Sequence, residues 1–275
     1  MYQHSMEIFY EPNLRLTRAR GLRGYNAGFA ETLGCGTFDQ HQKDLVWRLL
    51  GDTPIGRHSV VVDVGCGIGG PSGWIFERFQ PARLIGIDYC TASVQEANAR
   101  WAHRTRRPCF LQGDAHSLPL ADASVDVIFN LESALHYPDK RQFISECRRI
   151  LKPGGVLCLG DICTHRKKFF AALGMLNNLA SQFSTHERLW SAGDYRETFH
   201  ALGFDRIRHE EVSVQAANSL HDGLTEIARD GWKAARGYRR RFFYLCFVEK
   251  LLRRRWLTYD LFTTCRSQVS TELEK

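Results

Sequence analysis

The 275-residue sequence contains no run of about eighteen consecutive apolar residues, which a helix would need to cross a bilayer. Its first twenty residues show no basic stretch followed by a continuous apolar one, which is the pattern of a secretory signal. No internal repeat and no low-complexity tract is present. These absences argue against a membrane-spanning or repeat-built protein, and we expect a globular protein of the cytoplasm.

The nine cysteines lack the order that a zinc site or a disulfide framework requires. Their number is odd, their spacing is irregular and no Cys-x-x-Cys pair occurs. Cys158 and Cys246 lie within apolar runs, as small buried side chains do. We therefore expect reduced thiols in a reducing compartment and no metal cofactor.

The net charge of +7 comes from one part of the chain. Arg229–Arg255 contains ten Lys or Arg residues and two acids, so the rest of the sequence is about neutral. The lack of a broad basic face argues against a nucleic-acid-binding protein. Arginines mix with aromatic residues from Tyr238 to Trp256, and three interpretations stay open. They are a solvated helix face, a site for a phosphate or carboxylate on a ligand, and a weak contact of Arg239–Arg255 with an anionic membrane surface.

Short apolar runs alternate with amphipathic stretches between residues 60 and 161. Runs rich in β-branched residues predict strands, and apolar residues spaced by three or four predict helices. This alternation indicates βαβ units with helices on both faces of a parallel sheet. The predicted strands are 59–64, 83–88, 109–112, 125–129 and 156–160, and the helices between them are 72–79, 91–103 and 139–151.

The flanking sequence predicts mainly helix. We divide the chain into an N-terminal arm, residues 1–50, and one α/β domain, residues 51–275, with helical insertions at about 163–195 and 214–255. The individual predictions are a helix over 39–50, mostly helix over 163–195, a helix from 192 that ends at Gly203, a strand over 204–213, a basic helix over 219–252 and a last strand over 256–262.

A glycine-rich run, Gly65-Cys66-Gly67-Ile68-Gly69-Gly70, follows the first predicted strand. Glycines there let the chain turn sharply while its backbone approaches a ligand. The run also fits the dinucleotide pattern G-x-G-x-x-G, so alone it leaves two cofactors open. Asp63 before it suits a ligand with an ammonium and a sulfonium better than a pyrophosphate. Asp88 after the second strand can accept from ribose hydroxyls, and Asp114 after the third can accept from an adenine amino group.

In order and spacing, residues 60–161 resemble the class I S-adenosylmethionine-dependent methyltransferases. The resemblance implies a doubly wound, Rossmann-like α/β fold with a seven-stranded sheet whose last strand is antiparallel. It also implies S-adenosylmethionine as the cofactor and S-adenosylhomocysteine as the product. The matching positions are Gly65, Cys66 and Gly67 in the loop, Asp88 and Tyr89 at the ribose, Asp114 and Ala115 at the adenine, Asn130 and Leu131 after the fourth strand, and Leu151–Gly155 before the fifth.

The stretch Gly24–Phe29 resembles an element that precedes the core domain in tocopherol-like and natural-product methyltransferases. In that family the element lies over the cofactor, where excluding water strengthens electrostatic contacts. Tyr25 and, from the following helix, Gln40 are the candidate cofactor contacts. The alternative is that Tyr25 and Phe29 only pack an N-terminal arm.

The segment Glu132-Ser133-Ala134-Leu135-His136-Tyr137-Pro138 follows the fourth strand, at the sheet edge where open α/β folds bind ligands. It resembles the Glu-Ser-x-x-His-x-Pro-Asp segment of sugar- and polyketide-directed O-methyltransferases, in which the His lies near the acceptor. We expect His136 to be the general base, because imidazoles take up protons near neutral pH. Asp161, after the fifth strand, could orient His136, and Glu132 could contact the cofactor or the acceptor.

These patterns predict O-methylation of a small molecule in secondary metabolism, without a nucleic-acid partner. One alternative is C- or N-methylation of an isoprenoid, lipid or aromatic acceptor, since a carbon acceptor needs no base before attack and aromatic side chains can stabilise a cation. Another is a protein that binds the cofactor without catalysis. The sequence does not identify the acceptor, the methylated atom or the oligomeric state, and it is compatible with an oligomer.

Overall fold

The computed structural model describes residues 21–166, 189–229 and 239–268. Seven strands of this part of the chain form one sheet in the order β3-β2-β1-β4-β5-β7-β6. The strands are β1 Val60–Val64, β2 Arg83–Asp88, β3 Cys109–Gln112, β4 Val125–Leu131, β5 Leu151–Cys163, β6 Phe204–Glu211 and β7 Thr258–Arg266.

Helices flank the sheet, and several begin at a side chain that caps them. Thr37 accepts a hydrogen bond from the backbone N–H of Gln40 at 3.3 Å, and Asp139 accepts one from Gln142 at 2.9 Å. The described helices are α1 Phe38–Leu50, α2 Gly70–Phe79, α3 Thr91–Trp101, α4 Lys140–Ile150, α5 Ala192–Ala201, α6 Ser213–Arg229 and α7 Arg239–Arg253, with a short 3-10 helix at Ala134–His136.

Strands β1 to β5 are parallel, and β7 is antiparallel to both β5 and β6. The predicted Rossmann-like sheet with an antiparallel last strand is therefore confirmed. Strand order reverses at β1, which pairs with β2 on one side and with β4 on the other. A crevice opens at such a reversal, at the carboxyl ends of the strands, and the glycine run and the His136 segment both lie there.

Two layers of apolar side chains bury the faces of the sheet. One layer contains Leu45 and Val46 of α1 with Leu220 of α6, and the other contains Phe143 of α4 and Phe199 of α5. These layers fix the helices on both faces, as the alternation of apolar runs predicts. The sheet edge between them is left to polar and glycine residues.

Several predictions differ in detail. The last strand, predicted over 256–262, is β7 Thr258–Arg266, and Ser213, the predicted end of the preceding strand, begins α6. The predicted fifth strand, 156–160, is the middle of the longer β5, and the Lys152–Gly155 turn lies inside that strand. Leu151 pairs with Val125, and Val156 pairs with Val127, so the intervening residues bulge out of the ladder. The basic helix over 219–252 is two helices, α6 and α7, separated by residues outside the described part of the chain.

Most of the insertion predicted over 163–195 also lies outside the described residues. The division into an arm and a single domain stays a prediction. No helix of the described residues is long and apolar enough to cross a membrane.

Candidate active site

The glycine run forms a tight loop that is held to the end of β2. The backbone N–H groups of Gly65 and Cys66 donate to the Ile87 carbonyl at 2.7 and 3.1 Å. Gly65 has φ +75°, and a Cβ there would lie 2.3 Å from the side chain of Ser133. A side chain at position 65 would therefore close the gap between the loop and the segment after β4.

Asp88 fastens this loop through both carboxylate oxygens. One oxygen accepts from the Gly67 N–H at 2.8 Å and the other from the Cys90 N–H at 2.8 Å. Burial raises the pKa of the Asp88 carboxyl above its usual value, although these two bonds and the charge of His136 oppose the rise. Asp88 thus organises the loop, and its remaining lone pairs can accept from a ligand.

One cavity brings most of the predicted residues together. Its lining includes the glycine loop, the ends of β2 and β3, the segment after β4 and residues of the N-terminal segment. The predicted site residues that line it are Tyr25, Gly65, Cys66, Gly67, Asp88, Tyr89, Asp114, Ala115, Leu131, Glu132 and His136. The Cys66 N–H, however, is used by Ile87, and burial raises the pKa of the Cys66 thiol well above its usual value.

Three predicted residues lie behind the cavity instead of lining it. Asp63 is 2% exposed and accepts from the Ser72 hydroxyl at 2.5 Å, so it anchors the start of α2. Burial raises the pKa of Asp63 to about 7. Asn130 donates to the Val64 carbonyl at 2.8 Å and thereby ties β4 to β1. Asp161 is fully buried. These residues support the site from outside, because their side chains point to the neighbouring elements they bind.

Gln40 of α1 does not line the cavity. Its side chain is exposed and donates to Asp44 at 2.6 Å. Gln42 lines the cavity instead and is 1% exposed. Thr37 caps α1 and so fixes where the helix begins. Gln42 then lies on the same buried face of the helix as Leu45 and Leu49. That face is visible in the sequence and would have identified Gln42.

The N-terminal segment covers one side of the cavity and is fixed by polar contacts. Gln42 donates to the Asn26 carbonyl at 2.8 Å, and Ser219 of α6 donates to the Ala27 carbonyl at 2.7 Å. Asn26 Nδ2 and Gln42 Oε1 are buried and have no hydrogen-bond partner among the described residues. Both side chains line the cavity, so a donor and an acceptor are available there to a ligand.

Glu132 joins three distant parts of the chain at the cavity. Its Oε1 accepts from the Ala27 N–H at 2.5 Å and from the Tyr259 hydroxyl of β7 at 2.6 Å. The backbone of Glu132 has φ +51°, a value that residues other than glycine rarely adopt. Such strain persists where the surroundings impose it, and it directs this carboxylate toward the site. The sequence pattern did not indicate Tyr259.

A buried polar cluster holds the backbone on both sides of His136. The Leu135 N–H donates to Asp161 at 3.1 Å, and Tyr195 of α5 donates to the same carboxylate at 2.5 Å. Lys140 Nζ, in a residue only 2% exposed, donates to the carbonyls of Leu135 at 3.5 Å and Tyr137 at 3.4 Å.

The positive charge of Lys140 offsets the negative charge of Asp161 within this cluster. Burial raises the pKa of Asp161 to about 6, while the positive charge of Lys140 and the hydrogen bond from Tyr195 limit the rise. Asp161 therefore holds the backbone next to His136 in place and does not itself line the cavity. Lys140 and Tyr195 were not predicted, because they approach from α4 and α5.

Helices α6 and α7 contribute a mainly apolar part of the cavity lining, which we call the acceptor wall. It consists of Leu220, Gly223, Leu224 and Ile227 of α6 with Tyr244, Leu245 and Val248 of α7. Gly223 allows close packing, since a Cβ there would lie 2.7 Å from the Phe38 ring. We call another part of the lining the cofactor wall: Gly65–Ile68 with Gly70, Asp88–Cys90 and Gly113–His116.

The charges at the cavity are mainly acidic. Asp88, Asp114 and Glu132 line it, with His116 and His136, and no Lys or Arg is among the described residues of the lining. His116 contacts Asp114 at 2.6 Å. The described residues also contain no group of three or more His, Cys, Asp or Glu side chains arranged to hold a metal ion.

Comparison with known proteins agrees with this geometry. A family model described as "Methyltransferase domain" matches residues 62–159. The chain is 30% identical over 215 residues to a probable tocopherol O-methyltransferase, chloroplastic, of Oryza sativa subsp. japonica. The match covers 71% of this chain and 58% of the rice protein, so the chain spans little more than half of that relative's length.

Solved structures share the whole fold at low sequence identity. The [4+2]-cyclase SpnF superposes with a TM-score of 0.79 and 22% identity, covering 96% of this chain and 95% of that one. Geranyl diphosphate C-methyltransferase from Streptomyces coelicolor A3(2), in complex with Mg2+, geranyl-S-thiolodiphosphate and S-adenosyl-L-homocysteine, gives 0.75 and 17%, covering 96% and 98%. At such identities the likeness establishes the fold.

Residues 62–159 therefore form a methyltransferase domain, and the chain has the seven-stranded sheet with an antiparallel last strand that the resemblance to class I S-adenosylmethionine-dependent methyltransferases implies. Its relatives include enzymes named for the methylation of small molecules.

The residues present fit the cofactor that this domain implies. The loop at Gly65 and Gly67 has positive φ and no side chains, so its backbone can lie against a ligand. Asp88 and Asp114 are acceptors for the ribose and the adenine. The buried amide groups of Asn26 and Gln42 that lack partners supply a donor for a carboxylate and an acceptor for an ammonium group.

Proposed function

We propose that the protein methylates a small, neutral and largely apolar molecule at a hydroxyl oxygen, with His136 taking up the hydroxyl proton. One observation carries the proposal. A single cavity is lined by the glycine loop with its carboxylates, by the apolar residues of α6 and α7, and by His136.

The cofactor wall explains how the methyl group would be presented. S-adenosylmethionine, when bound, supplies a methyl group on a sulfonium. Asp88 and Asp114 would hold its nucleoside, and Asn26 and Gln42 its amino-acid end. Fixing both partners in line for displacement contributes about 7–11 kcal/mol to lowering a barrier of this kind. The Glu132 link to Ala27 and Tyr259 keeps the N-terminal segment closed over this region.

His136 is well placed for proton transfer. It ends the 3-10 helix after β4, is half-buried and lines the cavity. The cluster of Asp161, Lys140 and Tyr195 fixes the peptide groups around it, so the ring needs little reorganisation to meet an acceptor hydroxyl. A positioned base of this type contributes typically about 10²–10⁴-fold in rate.

The acceptor wall and the charges favour a neutral acceptor. Apolar side chains of α6 and α7 offer contact area but no counter-ion, and the carboxylates of the lining repel anions. This argues against an acceptor recognised through a phosphate or carboxylate.

A second candidate is methylation of carbon or nitrogen. Aromatic side chains line the cavity at Tyr25, Phe38, Tyr89, Tyr137 and Tyr244, and such rings stabilise cations. Glu132 rather than His136 would then be the nearest candidate to accept a proton. The likeness to a C-methyltransferase and to a cyclase supports keeping this candidate, because one fold hosts several reactions.

The test uses cofactor with an isotopically labelled methyl group. Purified protein is incubated with apolar alcohols and with the matching carboxylic acids and phosphate esters, and products are analysed by mass spectrometry. We expect label on the oxygen of alcohols only. Label on carbon or nitrogen would select the second candidate, and label on the anionic compounds would overturn the proposed acceptor class.

His136→Ala in the same assay tests the base. We expect kcat to fall about 10²–10⁴-fold, while calorimetry with S-adenosylhomocysteine shows nearly unchanged affinity. His200→Ala on the exposed end of α5 is the matched control and should leave both quantities unchanged. Turnover of His136→Ala close to that of the unmodified protein would remove His136 from the mechanism.

A further inference from the structure

Helix α7 has two unlike faces. Tyr244, Leu245 and Val248 line the cavity, whereas Phe243 and Phe247 face outward with 61% and 48% of their surfaces exposed. These are two of only five large apolar side chains that are exposed among the described residues. Because they are four positions apart, they lie one above the other on the same helical face.

Positively charged side chains follow the two rings along this outward face. Lys250 is exposed and falls on the helical line through Phe243 and Phe247. Arg254, the first residue after α7, is also exposed and continues this line by one position. We call these four residues, Phe243, Phe247, Lys250 and Arg254, the outer stripe. It presents two rings followed by two cations over about three turns of backbone.

Acidic groups among the described residues of α7 and its surroundings do not compensate for this charge. The sequence of α7 contains five basic residues and one acid, Glu249. Glu249 is 8% exposed and accepts from Arg253 at 2.5 Å, so its charge is already paired inside the protein. Arg255, beyond the helix, lies 3.2 Å from Glu211. Lys250 and Arg254 are therefore the charges of the outer stripe that can meet an external anion.

We propose that the outer stripe docks this protein on an anionic lipid bilayer, with α7 lying along the surface. Exposed aromatic rings enter the interface between headgroups and acyl chains, and adjacent cations bind anionic headgroups. The two cations and two rings give reversible association, not insertion. The proposal concerns only the outer face of α7 and holds whether or not the cavity methylates an alcohol.

The geometry also gives the docking a use. The same helix forms part of the acceptor wall, so docking brings the cavity within one helix diameter of the bilayer, about 10 Å. An apolar acceptor dissolved in the membrane could then enter beside α7 without crossing bulk water. This use rests on the proposed function, whereas the docking itself does not.

Co-sedimentation with vesicles tests the proposal. The full chain is mixed with sucrose-loaded vesicles of phosphatidylcholine alone and of phosphatidylcholine with phosphatidylglycerol, at low and at moderate salt. We expect binding to the anionic vesicles that weakens with salt, and little binding to the neutral ones. No binding to the anionic vesicles, or equal binding to both, would overturn the proposal.

Two double variants locate the surface. Lys250→Gln with Arg254→Gln should weaken binding about 30-fold, since each cation near an anionic surface contributes about fivefold. Phe243→Ser with Phe247→Ser should weaken binding to the anionic vesicles at both salt concentrations. Thermal unfolding followed by circular dichroism establishes that each variant is folded.

A matched pair of exposed arginines supplies the control. Arg57→Gln with Arg83→Gln removes the same charge from the amino-terminal end of the sheet. We expect this variant to bind as the unmodified protein does. An equal loss in the control would mean that net charge, not the outer stripe, causes binding, and would refute the assigned surface.

Discussion

The two walls of the cavity are made in different ways. The cofactor wall comes from the ends of β1, β2 and β3 and consists of backbone groups, glycines and carboxylates at fixed positions. The acceptor wall comes from α6 and α7, far along the chain, and consists of apolar side chains. A hydrogen bond needs its partners at about 2.8–3.0 Å, whereas an apolar contact tolerates changes of shape.

This difference explains why one wall is specific and the other adaptable. A group that hydrogen-bonds a ligand rejects analogues strongly, whereas one methylene in an apolar pocket changes binding by about 1–3 kcal/mol. We therefore expect substitutions in the cofactor wall to impair binding sharply. Substitutions in the acceptor wall should change which molecule is bound and leave cofactor affinity intact.

The largest effect is expected at Asp88. Asp88→Ala removes the acceptor for the Gly67 and Cys90 N–H groups as well as a ligand contact. Hydrogen bonds to a charged group contribute about 1.5–3 kcal/mol each, so affinity for S-adenosylhomocysteine should fall at least about 100-fold by calorimetry. The exposed Asp52→Ala is the control. Retained affinity in Asp88→Ala would mean that the loop keeps its shape without this carboxylate.

The next effect is expected at Lys140, behind the cavity. Lys140→Met frees the carbonyls of Leu135 and Tyr137 and removes the cation that limits the pKa of Asp161. We expect kcat to fall about 10- to 100-fold, with a changed pH–rate profile and little change in cofactor affinity.

The double variant Lys140→Met with Asp161→Asn leaves no uncompensated buried charge and should recover stability that the single variant loses. A role in folding alone would lower the melting temperature but leave the pH–rate profile of kcat unmoved. That outcome would separate Lys140 from the positioning of His136.

A smaller effect is expected at Leu224 in the acceptor wall. Leu224→Ala removes apolar contact area without touching the cofactor wall. The acceptor KM should rise about tenfold, and the affinity for S-adenosylhomocysteine should stay the same. Equal losses of both quantities would show that the two walls are coupled and would contradict the separation drawn between them.

The last prediction concerns Asp63 and pH, and it is measured on stability instead of on binding or turnover. Burial raises its pKa from 3.8 to about 7, so the folded state keeps a proton that the unfolded chain releases. The stability that this proton contributes is complete below about pH 4 and is lost as the pH rises through 7. The melting temperature of the unmodified protein should therefore decline relative to that of Asp63→Asn between pH 4 and 7.5. A constant difference across this range would contradict the raised pKa.

The sequence predicted the cofactor wall well because its groups adjoin strand ends. Gly65, Asp88 and Asp114 each follow a recognisable apolar run, and parallel strands bring their carboxyl ends to one edge. Asp63 was misplaced because successive side chains of a strand point to opposite faces, and which face meets the cavity depends on packing against α2.

The acceptor wall and the supporting cluster could not be assembled from the sequence. Tyr195 and Tyr259 bind partners that are 34 and 127 residues away along the chain, and no local pattern records those pairings. Lys140 binds carbonyls only five and three residues before it, but its burial beside Asp161 depends on how α4 packs on the sheet. Gln42 is different, since its helical phase was available from the stripe of buried residues in α1.

The position of β7 in the sheet affects the order in which the strands can pair during synthesis. Among the strands of the described residues, β6 pairs with β7 alone, although β6 precedes β7 by some fifty residues. During synthesis β6 must therefore wait at the surface of a partial sheet until β7 has left the ribosome and filled the space beside β5. Tyr259 belongs to the same strand. Glu132 therefore gains its hydrogen bond from Tyr259, which stabilises the crevice, only in this late step.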